Sequence, residues 1–223
     1  MNASPKQEPA DPGSGLSKAE WRRRFWHASP GLLPFLLWAV PHRDPISPTL
    51  RGIMVLLIVC LAGHVFWRYQ HIQRRQDRER ASAVLGYALS VLVMLLIFPQ
   101  HAELGLTVLA VLAFGDGSAT WGGLTFGGPK LPWNPQKTWS GLASFLIIGT
   151  ALASVIYWGE TQFNPESLEY QSIPFTTALA CAGTAVSLAA IAESLPMRIN
   201  DNIRVGIAAA VGVTTMHALL LGL

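Results

Sequence analysis

Charge is scarce in this chain. Sixteen Lys and Arg and thirteen Asp and Glu make 13% of its 223 residues, about half the share of an ordinary soluble domain. Hydrophobic residues reach 51% and mean hydropathy is +0.35, so the expected solvent is the bilayer. Cysteine is nearly missing. Cys60 and Cys181 both fall in apolar runs without CxxC or zinc spacing, and they read as packing residues. Basic residues do not gather with aromatics on a polar surface, which argues against nucleic-acid binding. No apolar run opens residues 1–20, which argues against a cleaved signal, and their acidic residues argue against a transit peptide. That Pro/Gly/Ser-rich stretch reads as a disordered cytoplasmic tail.

Several motifs are lacking too. His64, His101 and His217 stand singly, without HExxH spacing, and read as structural. Gly123–Lys130 comes near a P-loop, but Pro129 separates glycine from Lys130 and Leu131 replaces Ser/Thr. Gly115–Thr120 lacks the third glycine of a dinucleotide loop and follows no strand. No internal repeat is evident, which weighs against a carrier.

What is present is a series of seven apolar segments, approximately 28–41, 50–67, 82–98, 104–115, 139–158, 173–192 and 203–223. Two are short for a span, since crossing needs about 20 residues. Pro30 and Pro34 interrupt the first. The fourth is expected to stop at Gly115-Asp116 and continue as irregular backbone lining a cavity. Placing the N-terminus inside puts fourteen of the sixteen basic residues on that side and leaves Arg43 and Arg51 outside. The expected fold is an all-α polytopic membrane bundle of about seven spans over 21–223, with a cytoplasmic N-terminus. Its expected location is the bacterial cytoplasmic (inner) membrane.

On this topology the polar loops 115–138 and 193–204 share the cytoplasmic face, where nucleotides are. The first holds Asp116, several glycines from Gly115 to Gly141, and Lys130 and Lys137, the only lysines after the tail. Glycine lets backbone N–H groups approach an anion, and lysine offers a point charge to phosphate. A carboxylate beside them suits a Mg²⁺–nucleotide site. Asn134 and Thr138 shape the turn, and Thr138 is an expected N-cap for the next helix. In the second loop Glu193 and Asp201 are candidates for metal binding or for a base. The alternative is that Asn200, Asp201 and Asn202 only cap the last helix. Arg24 and His27 sit where a basic, aromatic segment enters the interface.

The order Asp116-x-x-Ala119-x-x-x-Gly123-x-x-Phe126-Gly127-x-x-Lys130, then Asn134-Pro-x-Lys137-Thr138-Trp139-x-Gly141, resembles the membrane CTP-using families. These are the phosphatidate cytidylyltransferases and the polyprenol kinases (dolichol kinase, phytol kinase, CTP-dependent diacylglycerol kinase). Arg24-x-x-His27, and Glu193-Ser-Leu-Pro followed by Asp201-Asn202-Ile203, are similar to elements of the kinase branch. Ser140 stands where the cytidylyltransferases often have Glu, which also fits that branch.

The resemblance implies transfer of the γ-phosphoryl of CTP to a membrane lipid alcohol, an isoprenoid alcohol or diacylglycerol. It implies Mg²⁺ on Asp116 and Asp201, and Asp116, Lys137, Glu193 and Asp201 as the catalytic set. Gly123, Gly127, Lys130, Asn134, Lys137 and Thr138 are the implied nucleotide-binding residues. Arg24, His27 and Asn202 are implied in substrate contact or structure. Membrane lipids and a homodimer complete the expected partners. The rival readings are a cytidylyltransferase-like enzyme making a CDP-lipid and a non-enzymatic membrane transporter or scaffold.

Overall fold

The structure is a computed structural model that describes residues 25, 28–39, 45, 47–70, 75–163, 172–197 and 199–223. The expected tail over 1–20 and the candidates Arg24 and His27 lie outside them.

Each apolar segment holds a helix. A 3₁₀ turn (Ser29–Leu32) runs into α1 (Leu33–Leu37), followed by α2 (Pro48–Gln70), α3 (Arg75–Ile97) and α4 (Ala102–Thr125). After a small hairpin come α5 (Trp139–Phe163), α6 (Phe175–Ser194) and α7 (Asp201–Leu220). Four of these, α4 to α7, are long and apolar enough to cross a membrane. The apolar parts of α2 and α3 are shorter, Pro48–His64 and Gly86–Ile97. The expected first span departs most from the sequence reading, because Pro30 and Pro34 start two short turns in place of one long helix.

The core lies between α4 and its neighbours α5, α6 and α7, with α4 at the centre. From Ala102 through Ala113 its residues are buried without interruption, as expected of a helix hydrophobic on all sides. The outer faces of α5, α6 and α7 leave Ile147, Ile191, Ile207 and Val211 more than half exposed. In water such a surface would be an aggregation liability; in lipid it is the normal exterior.

Two expectations about the central stretch are corrected. The fourth segment does not dissolve into irregular backbone at Gly115. It passes through one π-helical turn (Val111–Gly115) and continues as α-helix from Asp116 to Thr125. Nor is the remainder a plain loop. Lys130–Leu131 (β1) and Asn134–Thr138 (β2) pair antiparallel, with a bulge between Lys130 and Leu131. The fold is therefore helical with one added hairpin, entered through Gly127 and Gly128, whose φ values of 59° and 94° favour glycine.

The physical reason for the helix is helix–helix contact. A Cβ on Gly122 would lie 1.9 Å from Ser144 Oγ, and one on Gly141 would lie 2.7 Å from the Ala119 carbonyl oxygen. Glycines that suggested backbone open to an anion instead let α4 and α5 touch almost backbone to backbone. The small residues of α6 and α7 act in the same way, since a Cβ on Gly212 would lie 2.7 Å from Ala185 Cα.

Gly122→Ala should therefore destabilise the protein by overpacking, about 1–3 kcal/mol. Ser144→Gly in the same chain should recover most of that loss, both read as melting temperatures in detergent.

Candidate active site

The hairpin is short, yet its last residues are held from three sides. Thr138 Oγ1 accepts from Gly141 N at 3.1 Å, capping α5 as its sequence position suggests. Ser140 donates its hydroxyl to the Gly127 carbonyl, which ties the cap to the glycine turn. Asn134 donates from Nδ2 to the Ser194 carbonyl (3.0 Å), and its Oδ1 accepts from Gln136 N (3.2 Å). The hairpin is thereby tied to the end of α6.

This tether brings Lys137 between two other elements. Its Nζ lies 2.6 Å from Glu193 Oε1 on α6 and 3.5 Å from Asp201 Oδ2 on α7. Burial alone would lower the lysine pKa. The charge and hydrogen bond of Glu193, with the charges of Asp201 and Asp116, outweigh that effect and raise it. Lys137 is thus an ammonium throughout the neutral range. The charge of Asp116 on α4 acts on the same nitrogen, while the carboxylates of α6 and α7 pair with it directly.

Asp116 owes its position to the π-turn before it. One extra residue in a turn rotates everything after it by about 100° relative to an uninterrupted α-helix. The next turns of α4 present Ala119, Thr120 and Gly123 to a cavity of about 380 Å³. Lys130, Lys137, Thr138, Glu193 and Asp201 contribute to its polar wall, and Leu124 and Leu142 to its apolar wall. Small-molecule pockets run from about 300 to 1,000 Å³.

Not every sequence candidate reaches this cavity. Asp116, Gly127 and Asn134 do not line it; Asp116 lies one turn before the lining residues of α4, and Gly127 and Asn134 shape and anchor the hairpin. Asn202 is buried in the first turn of α7, where its backbone N–H donates to the Asn200 side chain at 3.0 Å. Asn200 is therefore the N-cap, as the capping alternative expected, while Asp201 sits at the first helical position and faces Lys137.

Arg204 is a residue that the sequence reading passed over. It is buried and donates to the carbonyls of Ala192 (2.7 Å), Leu195 (2.9 Å) and Ile199 (3.1 Å), and it pairs with Asp201. It therefore holds the α6–α7 turn closed and fixes Asp201. A signal was available, since a cation in the first turn of a helix is electrostatically misplaced unless something local binds it.

Asp116, Glu193 and Asp201 offer only carboxylate oxygens, the donor type that Mg²⁺ prefers. Glu193 and Asp201 already share a monovalent cation, the Lys137 ammonium, so the geometry concentrates negative charge at that point. Around this end Trp121, Phe126, Trp133 and Trp139 are all exposed, with Trp133 edge-on to Trp139 at 5.6 Å. Aromatic residues at the ends of spanning helices mark the membrane–water boundary.

The chain is 33% identical over 198 residues to phytol kinase 1, chloroplastic, of Arabidopsis thaliana, covering 83% of this chain and 63% of that protein. Its relatives are named phytol kinase and farnesol kinase, at up to 33% identity. A probable phytol kinase 1 of Oryza sativa subsp. japonica is 30% identical over 135 residues, 60% of this chain and 41% of the relative. The farnesol kinase, chloroplastic, of Arabidopsis thaliana is 27% identical over 207 residues, 88% and 65%. The chain spans less than two thirds of the length of these three relatives. No family profile matches it, and no solved structure matches it.

Arg204→Gln should cost at least about 1.5–3 kcal/mol, the value of one hydrogen bond to a charged group. It should lower the melting temperature while leaving α4 and α5 protected in hydrogen exchange.

Proposed function

We propose that the chain is a kinase that transfers the γ-phosphoryl group of CTP to the hydroxyl of an isoprenoid alcohol in the membrane. One observation carries this reading: Lys137, Glu193 and Asp201 meet on the wall of a cavity at one end of an apolar helical bundle. Relatives named phytol kinase and farnesol kinase support the alcohol as acceptor. The donor CTP and the ion Mg²⁺ rest on the motif resemblance and on the oxygen-only donor set.

Phosphoryl transfer asks little covalent chemistry of a protein; position and charge do most of the work. Lys130 and Lys137 neutralise phosphate oxygens from the hairpin, and Gly123 and Thr138 shape the cavity wall beneath them. Asp116 and Asp201 would hold Mg²⁺, which when bound shields the charge of the triphosphate. Glu193 takes the hydroxyl proton as the alcohol oxygen bonds to phosphorus. The bond from phosphorus to the bridging oxygen breaks, and CDP leaves. Leu124 and Leu142 give the alcohol an apolar approach from the membrane, and Trp133 and Trp139 set the depth of the hairpin.

The basic-residue bias supports a cytoplasmic N-terminus and cavity. The relatives are named chloroplastic, so they lend no support to the bacterial inner membrane expected from the sequence.

The full chain in detergent with mixed lipid should move label from γ-labelled CTP into the lipid extract when phytol, geranylgeraniol or farnesol is supplied. ATP, a dolichol-type polyprenol and diacylglycerol complete the panel. Release of CDP is expected. Pyrophosphate with a CDP-lipid would establish the cytidylyltransferase reading instead, and no turnover would leave an anion-binding membrane protein.

Asp116→Asn and Lys137→Ala should each lower kcat by about 10²–10³-fold, the usual cost of one electrostatic clamp. Lys137→Ala also leaves Glu193 buried without its counter-ion, so melting temperature is measured in parallel. Near-native turnover in either variant would reject the role assigned to that residue.

A further inference from the structure

At the opposite end of the bundle lies a second polar cluster that the phosphotransfer reading does not use. Asp201 and His217 stand sixteen positions apart on α7, about 24 Å along the helix axis. His217 is buried there, facing α4 and α5. Its Nδ1 is 3.7 Å from Glu103 Oε1 in the first turn of α4 and 2.6 Å from the Tyr157 hydroxyl on α5. His101, just before α4, brings its Nδ1 to 3.0 Å from the same Glu103 oxygen. The two imidazole rings meet edge to face at 4.7 Å. One ligand atom from each of His101, Glu103 and His217 lies within 4.8 Å of the other two.

The proton arrangement of this cluster is instructive. The Tyr157 hydroxyl and the Glu103 carboxylate both approach the same ring nitrogen of His217, Nδ1, which carries at most one proton. His101 Nδ1 lies within hydrogen-bonding distance of the same carboxylate. No lysine or arginine forms an ion pair with Glu103 among the described residues. A buried carboxylate in so dry a place calls for a cation.

We propose that His101, Glu103 and His217 bind a Zn²⁺ ion that fastens the start of α4 to the end of α7. Two imidazoles and one carboxylate are a donor set that zinc favours, leaving a fourth position for water or for Tyr157. Bonds of about 2.0–2.1 Å in a tetrahedron place ligand atoms about 3.3 Å apart. The distances from Glu103, 3.0 Å and 3.7 Å, bracket that value. Binding takes His217 Nδ1 away from the Tyr157 hydroxyl. The site is independent of the kinase reading, because it shares no residue with the nucleotide cavity.

The test is metal content of the full chain, purified in detergent from zinc-supplemented cells and dialysed against a weak chelator. About one zinc per chain is expected, with a Co²⁺-exchanged sample showing the visible absorption of tetrahedral cobalt. Glu103→Gln and His217→Gln should each retain less than about one tenth of the metal and lose the cobalt band, since each removes one of three ligands. Wild-type protein that holds no zinc and gives no cobalt band would overturn the proposal, whatever the variants do. Metal retained equally by both variants would also overturn it, placing the ion elsewhere.

Discussion

Around the ammonium of Lys137, carboxylates from α6 and α7 are drawn to one point at the end of an apolar bundle. Glu193 is buried at the end of α6 and could not stay ionised there without a cation beside it. The hairpin supplies that cation, and Asn134, by holding the Ser194 carbonyl, keeps hairpin and helix end together. Arg204 does the corresponding work one turn away, where it closes the chain between α6 and α7 and steadies Asp201. The cavity exists because these two cations let acidic groups lie close together beside lipid.

Helix packing supplies the precision that the charges need. The contact of α4 with α5 depends on Gly122 and Gly141, where a single extra carbon would force the backbones apart. That contact fixes Thr138 against the turns of α4 that follow Asp116, so the cap of α5 and the wall of the cavity are one structure. The π-turn before Asp116 completes the arrangement by rotating the acidic residue relative to the buried half of α4. Backbone geometry, more than side-chain choice, decides where the carboxylate sits.

Much of this was legible in the residues themselves. The scarcity of charge and the seven apolar runs announced a membrane bundle, and each run does hold a helix. Asp116, Lys137, Glu193 and Asp201 stood out because ionised groups beside apolar helices are costly and so rarely incidental. The misreadings share one cause. Glycine in a sequence does not say whether it serves a turn or a close contact, and Gly115 to Gly123 were read as loop when they are helix. His101 and His217 looked solitary because the residues that complete their cluster lie on other helices.

The sequence by itself determined the solvent, the helical character and the types of group available at the site, since these depend on composition and local pattern. Only the tertiary structure decided which charges meet, because residues as far apart as Lys137 and Asp201 become neighbours through helix packing that no local pattern encodes. It also separated the groups into two clusters at opposite ends of the bundle, one built on carboxylates and lysine, the other on imidazoles. That separation follows from the rigid rise of the helices, which keeps ends of the same helix about 24 Å apart.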